Sequence, residues 1–592
     1  MRTLFGYWGK LARVNLSQLY VLYEKIPNEI IEKFLGAKGM AAYYICTELE
    51  PGIDPLSPKN KIAIAVGPYQ GTIVPSSGRF CTATKSPLTG IYLDTYAGGN
   101  FGHALKKSGF DILIIEGSSE NPVYVIINGG KAQVMDATEL WGLDTSETER
   151  NLKSLEGENA HCVSIGPAGE NLVLISCLLS DSRRASGRGG CGAVFGSKNL
   201  KAVVAKGDLE VPIHNAEELR DIVKEFNYNV RSEKEEGKWF YKHGTSGILE
   251  SANERDRLPT RNYQQAEFEH ASRISGEAIY EKYEVKLIPC CPCPIACPAT
   301  LKGKGDRPEY ETLAMLGSNT GNGDLDAIVE ANMLCNHLGL DTISTGGVLG
   351  FAMECSQKGI LKEKIEFGDP NEMKELIRKI AYKEGIGELL AQGVRRASEI
   401  LGEDAIRIAI QVKGLEIPAW DPRGKLGHGL AYMTADIGGS HLRDFYSTKE
   451  IPNVSASEVV EKIIEGQNFT VERDNYIICA FATETMTSHL RRRAFEAITG
   501  VLLTEERLEE ISERVWTLIR SFNVREGITR TDDTLPERFL RDPLPTGAAK
   551  GCTAFVSDED MNLVLDRYYE LRGWDDNGIP LQETLERLGI GV

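Results

Sequence analysis

Four of the thirteen cysteines lie within eight residues, in the segment 290–297. Cys290, Cys293 and Cys297 have the spacing C-x2-C-x3-C, which lets three thiolates hold one cluster or metal ion, and the prolines among them stiffen the loop. Three clustered thiolates with one remote ligand are typical of a [4Fe–4S] cluster, whereas a structural zinc site usually pairs two short hooks. A cysteine-rich loop without metal is the alternative. In the cluster interpretation the adjacent Cys291 is not a ligand.

The fourth ligand of such a cluster must come from a distant part of the chain, and Cys479 is the candidate. It closes the motif Asp474-Asn-Tyr-Ile-Ile-Cys479, which has the same length as Asn336-His-Leu-Gly-Leu-Asp341. Each motif places a polar residue five positions before a candidate ligand. Taken alone, a cysteine such as Cys479 is more often a small core residue than a metal ligand.

Two regions rich in glycine and arginine precede the cysteine loop. One comprises residues 75–80 and 96–102, and the other, 182–192, holds three arginines and four glycines in eleven residues. Glycine lets a ligand approach backbone groups, and arginine presents a fork-shaped set of donors to phosphate. Turns with solvated arginines are the alternative, and neither region is a P-loop or a G-x-G-x-x-G fingerprint. This density of arginine in an acidic protein favours an anionic ligand.

Candidate acid–base groups follow the cysteine loop. Pro308-Glu-Tyr-Glu-Thr312 carries two carboxylates at alternating positions, Glu309 and Glu311, and His441 follows paired glycines. A buried carboxyl group can have its pKa raised toward neutrality, which suits a general base. Histidine titrates near neutral pH, but from the sequence alone His441 is better explained as a turn residue than as an acid.

The composition limits the class of protein. The net charge of −18 over 592 residues argues against a nucleic-acid or anionic-membrane partner. Thirteen cysteines, an odd number and mostly far apart, fit a reducing compartment better than a disulfide framework. No apolar run is long enough to span a bilayer, and the first residues lack the features of a signal peptide. The expected location is therefore the cytoplasm.

The elements that must position these residues change in type along the chain. Short β-branched runs between glycine-rich turns predict a strand-rich N-terminal part, with one amphipathic helix at about 29–49. Helical periodicity dominates from about residue 210 to the end. We therefore predict an α+β protein whose second and third domains are largely helical, with the boundaries 1–208, 209–413 and 414–592.

Taken together, these motifs resemble the tungsten-containing aldehyde:ferredoxin oxidoreductase family over nearly the whole chain. The similar segments include the cysteine loop, Pro308-Glu-Tyr-Glu, the pair of six-residue motifs, Gly-Gly-Ser-His441 and the stretches 6–16, 84–90, 165–172, 196–203, 531–539 and 568–574. So many motifs in one order are specific for the family and less specific for the substrate.

The resemblance implies a fold and a set of cofactors. The fold is a β-sheet saddle over which two helical domains close, and the metal is tungsten (or molybdenum) held by the dithiolene sulfurs of two pyranopterins. A [4Fe–4S] cluster would be bound by Cys290, Cys293, Cys297 and Cys479. A Mg²⁺ ion would bridge the pterin phosphates, partly through the backbone carbonyls of Tyr96 and Ala185. The positions matched to pterin binding are Arg79, Tyr96, Ala97, Gly98, Arg184, Ala185, Gly187, Asn336, Leu340, Asp341, Asp474 and Ala480.

The chain departs from the family pattern at four places. Tyr96 stands where asparagine is usual, which a carbonyl ligand tolerates. Asn336 replaces aspartate, which keeps hydrogen bonding to a pterin and removes the charge. The pair 477–478 is Ile-Ile instead of Gly-Leu. Met333 stands where some members have the histidine of a Glu-x-x-His iron site between subunits, so we expect an oligomer without that iron.

The resemblance also implies a reaction. An aldehyde is oxidised to a carboxylic acid, with Glu311 removing a proton and His441 acting as a second acid–base group or orienting the carbonyl oxygen. Electrons pass through the cluster to ferredoxin or to a small iron–sulfur subunit. Sister enzymes that oxidise sugar-phosphate aldehydes or reduce benzoyl-CoA are the nearest alternative. A non-catalytic iron–sulfur or zinc protein is the alternative of a different class.

Overall fold

The computed structural model describes residues 4–425, 427–444 and 456–591, except for the side chains of 456–458. The strands are β1 Lys10–Asn15, β2 Tyr20–Lys25, β3 Ile62–Ala65, β4 Phe80–Lys85, β5 Tyr92–Ala97, β6 Ile112–Glu116, β7 Val123–Asn128, β8 Lys131–Asp136, β9 His161–Ser164, β10 Leu178–Ser180, β11 Arg184–Ser186, β12 Leu200–Lys206, β13 Val285–Leu287, β14 Ala299–Leu301, β15 Gly305–Asp306, β16 Gln411–Val412 and β17 Leu415–Glu416.

Helices cover most of the chain after β12. The α-helices are α1 Asn28–Phe34, α2 Ala37–Glu48, α3 Phe101–Lys107, α4 Thr145–Glu156, α5 Pro167–Glu170, α6 Cys191–Ser197, α7 Ala216–Glu235, α8 Phe240–His243, α9 Leu249–Glu254, α10 Gly276–Lys282, α11 Tyr310–Met315, α12 Leu325–Leu338, α13 Thr342–Gln357, α14 Pro370–Tyr382, α15 Ile386–Leu390, α16 Gly393–Leu401, α17 Glu403–Ile406, α18 His428–Thr434, α19 Ala456–Tyr476, α20 Ser488–Thr499, α21 Glu505–Arg525, α22 Glu537–Arg541, α23 Asp558–Arg572 and α24 Gln582–Leu588.

Two six-stranded mixed sheets form the N-terminal part. Their strand orders are β2-β1-β6-β3-β4-β5 and β11-β10-β9-β12-β7-β8. Within the first sheet β1 pairs with β6 in parallel, and within the second β12 pairs with β7 in parallel, whereas the other pairs are antiparallel. The inner strand β3 is buried at every residue, as expected for a short apolar run that is covered on both faces. The edge strands β5 and β11 contact each other, so the two sheets meet at these edges.

Residues 29–49 form two helices and not the single amphipathic helix predicted from the sequence. The chain turns at Leu35, which has a φ of 62°, and at Gly36, where a Cβ would lie 2.0 Å from the backbone oxygen of Asn475. Glycine is therefore required where the chain turns against the end of α19. α2 packs against β3 and β4 as well as α19 and α21, which buries Ala37 to Ala42. The prediction was wrong because helices from the C-terminal part cover the face expected to be solvated.

The candidate site residues lie in connections between these elements. β13 and β14 form an antiparallel pair with Leu287 opposite Ala299, so the cysteine loop is the hairpin connection between them. α12 ends at Leu338, and Gly339, with a φ of 76°, turns the chain toward α13. α19 ends at Tyr476, and Ile477, with a φ of 58°, turns the chain toward Cys479.

The predicted α+β class, with a sheet-rich N-terminal part followed by helical parts, is confirmed by this order of elements. Across the segments that the structure describes, no helix is both long enough and apolar enough to cross a membrane.

Candidate active site

The structure brings Cys479 to the cysteine loop, and Ser76 joins the two segments. The Cys479 N–H donates to the Ser76 carbonyl oxygen at 2.9 Å. The Ser76 N–H donates to the Pro292 carbonyl oxygen at 2.5 Å, and its hydroxyl lies 3.3 Å from Cys293 Sγ. A residue from the first sheet region therefore holds the loop and the distant thiol in one place.

Burial and guanidinium groups act in opposite directions on the pKa values of two of these thiols. Burial raises the pKa of Cys297 and of Cys479, and the neighbouring Cys293 raises both further. The guanidinium of Arg184 acts against this rise at Cys297, and that of Arg79 does so at Cys479. Because a thiol must lose its proton to bind a metal, nearby guanidinium groups favour the ligand form. Among the described residues, no three His, Cys, Asp or Glu side chains are grouped as a site for a single metal ion.

Two glycines let the cysteine loop approach the first sheet. A Cβ at Gly78 would lie 1.9 Å from the backbone oxygen of Cys291, which no side chain tolerates. A Cβ at Gly98 would lie 3.1 Å from Cys290 Sγ. At these two positions glycine is needed because the cysteine loop packs closely against the ends of β4 and β5.

The predicted pterin-binding positions of the N-terminal part fall at the two sheet edges that meet. Tyr96 and Ala97 end β5, and Arg184 and Ala185 begin β11. Ala185 is exposed, while Tyr96 and Arg184 are half-buried, so this junction presents a surface to a ligand. The flanking predicted positions in the adjoining loops are Arg79, Gly98 and Gly187.

The first six-residue motif reaches the same junction. Asp341 caps α13 by accepting the N–H groups of Ile343 at 3.2 Å and Ser344 at 3.1 Å. A Cβ at Gly187 would lie 3.3 Å from Asp341 Oδ1, so the second glycine- and arginine-rich region packs directly on this carboxylate. Leu340 is buried, and its backbone forms an isolated antiparallel β-bridge with Ser176, which precedes β10.

Other residues named from the sequence lie at the edge of this region. The Asn336 side-chain amide donates to Asp306 Oδ2 at 3.4 Å, and Asp306 Oδ1 lies 3.9 Å from Arg183. Met333, one turn earlier on α12, accepts the Asp306 N–H through its sulfur, 3.1 Å from the Asp306 nitrogen. Ala480 begins a 3-10 turn directly after Cys479.

A buried network of charged groups joins the first sheet to the C-terminal part. The Lys38 ammonium lies 2.8 Å from Asp94 and 2.7 Å from Asp436, and all three side chains are removed from solvent. Arg443 contacts the same two carboxylates, with its Nε 2.5 Å from Asp436. Although burial disfavours the charged form, the charges of Arg443 and Lys38 lower the pKa of Asp436.

Asp474, from the second six-residue motif, lies at the end of this network. Its Oδ1 accepts the Arg473 Nε–H at 2.8 Å, and its Oδ2 lies 3.8 Å from Arg443. The Arg443 guanidinium also lies 6.0 Å from the centre of the Tyr96 ring, and the Tyr96 hydroxyl donates to Asp94. The second six-residue motif is thereby connected to β5 through one arginine.

Glu311 is held by neutral donors in the first turn of α11. Its Oε2 accepts the Ala419 N–H at 2.9 Å, and its Oε1 accepts the Trp420 indole N–H at 3.1 Å. Burial raises the pKa of Glu311 to about 7, because desolvation outweighs these donors and the charge of Arg188. A carboxyl group with this pKa exchanges protons readily near neutral pH.

His441 faces Glu311 from another part of the chain. His441 Nε2 lies 3.6 Å from Glu311 Oε1. Burial, with the charge of Arg188 next, lowers the pKa of His441 to about 3, so its imidazole is neutral at pH 7. A neutral imidazole beside a carboxyl group can accept or donate a hydrogen bond to a substrate oxygen.

Arg188 is a member of this site that the sequence analysis did not single out. Its guanidinium donates to Gly439 O at 2.7 Å and to the Glu416 carbonyl oxygen, and its Nε lies 3.7 Å from Asp341. Its charge also acts on the pKa values of Glu311 and His441. The signal was present in the second glycine- and arginine-rich region, but nothing in the sequence showed which of its three arginines turns inward.

Several buried polar atoms around the junction have no hydrogen-bond partner among the described residues. They include Ser180 Oγ, Ser186 Oγ and Asp474 Oδ2. Buried polar atoms are normally paired, so these atoms indicate a polar ligand. With the glycines and guanidinium groups at the sheet edges, they fit a large anionic ligand such as a pterin phosphate. Thiols are also the type of ligand that a soft metal cluster takes.

Comparison with known proteins assigns the chain to a family. The family model described as "Aldehyde ferredoxin oxidoreductase, N-terminal domain" matches residues 11–207, and the model for domains 2 and 3 matches residues 221–590. The chain is 40% identical over 608 residues to the tungsten-containing aldehyde ferredoxin oxidoreductase of Pyrococcus furiosus, covering 99% of each chain.

Two further proteins with other named activities are similar to the chain over nearly its whole length. The WOR-like subunit of an aliphatic sulfonate oxidoreductase from Pyrococcus furiosus is 32% identical, covering 99% of this chain and 98% of that one. The solved active-site complex BamBC of a benzoyl coenzyme A reductase has the same fold, with a TM-score of 0.87, 24% identity and coverage of 100% of this chain and 98% of that one. The chain therefore belongs to the aldehyde ferredoxin oxidoreductase family, a family of oxidoreductase enzymes.

Proposed function

We propose that this enzyme oxidises aldehydes to carboxylic acids with a tungsten bis-pyranopterin and a [4Fe–4S] cluster. An aldehyde and one water give a carboxylic acid, two protons and two electrons. When bound, the tungsten cofactor would supply the acceptor for the two electrons, and a cluster held by the four thiols would supply a one-electron route to an external carrier. The name of the relative with 40% identity and the arrangement of Glu311 and His441 support this proposal.

The residues that would hold the groups come from three separate parts of the chain. Cys290, Cys293, Cys297 and Cys479 would bind the cluster. One pterin would lie between the sheet edges, and Asp341 and Asp474 would hydrogen-bond to the two pterins from the helical parts. The full set proposed to contact the pterins is Arg79, Tyr96, Ala97, Gly98, Arg184, Ala185, Gly187, Asn336, Leu340, Asp341, Asp474 and Ala480, with the carbonyls of Tyr96 and Ala185 also serving a bridging Mg²⁺ ion.

Glu311 is the observation that carries the proposal. The water that adds to the aldehyde must lose a proton, and a carboxylate with a pKa of about 7 can take it. The Ala419 and Trp420 N–H groups fix the direction of the carboxylate, because each of its oxygens accepts one bond. His441, being neutral, orients the carbonyl oxygen of the substrate without adding a charge beside Glu311.

The experiment is an activity screen on protein purified without oxygen and analysed for metals. We expect about one tungsten and four irons per chain, and aldehyde-dependent reduction of benzyl viologen. Short aliphatic, aromatic and phosphorylated aldehydes are compared at equal concentration. A protein that contains zinc alone, or that contains tungsten but oxidises none of these aldehydes, would reject the proposal.

A second candidate function is the oxidation of a different substrate with the same cofactors. The chain is 32% identical to a subunit of an aliphatic sulfonate oxidoreductase over nearly all of both chains. This similarity supports testing sulfonates as substrates. Aliphatic sulfonates therefore form a separate arm of the same screen. Turnover with sulfonates and none with aldehydes would select this second function.

A further inference from the structure

Arg307 is a buried cation at the C-terminal end of the cysteine loop. It is 4% exposed, and its guanidinium donates to the Cys297 carbonyl oxygen and, at 3.2 Å, to the Lys242 carbonyl oxygen. Its backbone N–H donates to the Ala299 carbonyl oxygen at 2.9 Å. Side chain and backbone therefore both attach Arg307 to the residues that end the loop, and one of these residues carries a candidate cluster thiol.

A glycine makes room for this guanidinium. Gly244 has a φ of 58°, and a Cβ at this position would overlap Arg307 Nη2 and lie 2.7 Å from the Cys297 carbonyl oxygen. A side chain here would thus collide with both the donor and the acceptor of the bond. The chain at Gly244 encloses the contact between Arg307 and Cys297 and keeps other groups away from it.

The charge of Arg307 is not balanced by a carboxylate. Its acceptors are neutral carbonyl groups, and no carboxylate among the described residues forms an ion pair with it. Glu309, two residues later, instead accepts the Thr245 hydroxyl, lies 3.8 Å from Arg184 and has a side chain 39% exposed. A buried charge is costly unless a charge of opposite sign lies near it. Arg307 is therefore placed to pair with an anion at the cysteine loop.

We propose that Arg307 supplies a counter-charge to the iron–sulfur cluster and raises its reduction potential. The inference rests on the proposed function, because it needs a cluster on the four thiols. A cluster with thiolate ligands is negative overall and becomes more negative on reduction, so a buried cation stabilises the reduced form more than the oxidised form. Net charge, hydrogen bonding and burial set the potential of such clusters. Arg307 acts through Cys297 and is a positioning residue, since it does not touch the reacting groups.

The test is a potentiometric titration of the holoenzyme, followed by electron paramagnetic resonance of the reduced cluster. Arg307→Met removes the charge. We expect the equilibrium constant for one-electron reduction to fall about tenfold, which is a shift of about 59 mV to lower potential. Arg307→Lys keeps the charge and should restore most of the wild-type potential.

The matched control is a cation of the same hairpin that faces solvent. Lys302 directly follows β14, its side chain is 74% exposed, and it lies 2.6 Å from Glu284. Because water screens this charge, Lys302→Met should leave the potential unchanged. Iron content and the urea midpoint are measured for every variant, since a merely structural role of Arg307 would change these and not the potential of the remaining cluster.

The result for each variant decides for or against the inference. An unchanged or higher potential in Arg307→Met overturns it, as does a potential of Arg307→Lys as low as that of Arg307→Met. If Arg307→Met retains no iron, Arg307→Gln, which keeps an N–H donor for the Cys297 carbonyl, replaces it in the titration. If neither neutral variant retains iron, retention by Arg307→Lys supports the role of the charge, and loss in that variant overturns it.

The titration needs no substrate, so its outcome is separable from that of the proposed reaction. A wild-type cluster without aldehyde oxidation rejects the reaction, while a lower potential in Arg307→Met still supports the counter-charge. A wild-type enzyme that oxidises aldehydes, with the same potential in the neutral variants, rejects the counter-charge alone. Wild-type protein without iron rejects both.

Discussion

Glu311 and Asp436 are both largely buried carboxyl groups, yet their pKa values move in opposite directions. Burial raises the pKa of Glu311 to about 7. At Asp436 burial acts in the same sense, but the charges of Arg443 and Lys38 outweigh it and lower the pKa. The two residues therefore differ in their partners more than in their depth. Glu311 accepts bonds from neutral N–H groups, and Asp436 accepts bonds from an ammonium and a guanidinium.

This difference separates a carboxylate suited to proton transfer from one suited to holding the fold. Asp436 remains ionised, and its network with Lys38 stabilises the protein above about pH 4 and loses that contribution in acid. Glu311 can gain or lose a proton near neutral pH without losing its position, because uncharged donors hold it.

Lys38→Met should destabilise the folded protein. Asp94 and Asp436 would lose an ammonium that is fully buried, and we expect the free energy of unfolding to fall by about 3–5 kcal/mol. Urea unfolding measures this change. Lys59→Met, at a side chain 71% exposed, is the control and should change the free energy by less than about 0.5 kcal/mol. A loss below about 1 kcal/mol in Lys38→Met would show that Arg443 alone satisfies both carboxylates.

Glu311→Gln should lower turnover and leave the fold intact. We expect turnover with benzyl viologen to fall about 100-fold or more, because the amide cannot take a proton. Tungsten content, iron content and the urea midpoint should match those of the wild type. Glu309→Gln, in the same sequence motif, is the matched control and should retain most of the turnover. Wild-type turnover in Glu311→Gln would exclude a role for this carboxylate as the base.

The pH dependence of the wild-type enzyme should report Glu311. A base works when it is deprotonated, so kcat/KM should rise with pH and level off above a pKa of about 7. Below pH 6 the value should fall about tenfold for each pH unit. The pKa of His441, at about 3, predicts no second transition between pH 5 and 8 from this residue. A flat profile between pH 5.5 and 7.5 would contradict the assignment.

Trp420→Phe should raise the pKa of Glu311 by a small amount. The change removes one N–H donor to the Glu311 carboxylate, which disfavours the charged form and raises the pKa of Glu311 further above 7. The acid limb of the profile should move to higher pH by roughly one unit. Trp141→Phe, at a half-buried tryptophan elsewhere, serves as control and should not move the limb. Movement of the limb to lower pH would mean that the indole does not stabilise the carboxylate.

Much of the fold could be predicted from local patterns. The alternation of β-branched residues and glycine-rich turns indicated the strands before residue 208, and helical periodicity indicated the rest, because both signals depend on near neighbours. The helix at 29–49 could not be predicted correctly, since its interruption at Gly36 depends on contact with Asn475, more than 400 residues away. The burial of Ala37 to Ala42 likewise depends in part on α19 and α21.

In the candidate site, too, some features follow from local spacing and others depend on contacts between distant parts of the chain. The spacing of Cys290, Cys293 and Cys297 was visible because all three ligands lie in one loop. Arg188 was not distinguishable from Arg183 and Arg184, because which arginine turns inward is decided by the carbonyl groups of Gly439 and Glu416. His441 was better explained as a turn residue until the structure placed its imidazole 3.6 Å from Glu311.

By itself, the sequence determined which chemical groups this protein has and how the nearest of them are spaced, since covalent order fixes spacing within a loop or a helix. Only the tertiary structure decided which thiol from beyond residue 400 meets the cysteine loop, and which carboxyl groups meet cations. That second decision sets the charge of each group, because the pKa of a buried acid depends on the partners that folding places within a few ångströms of it.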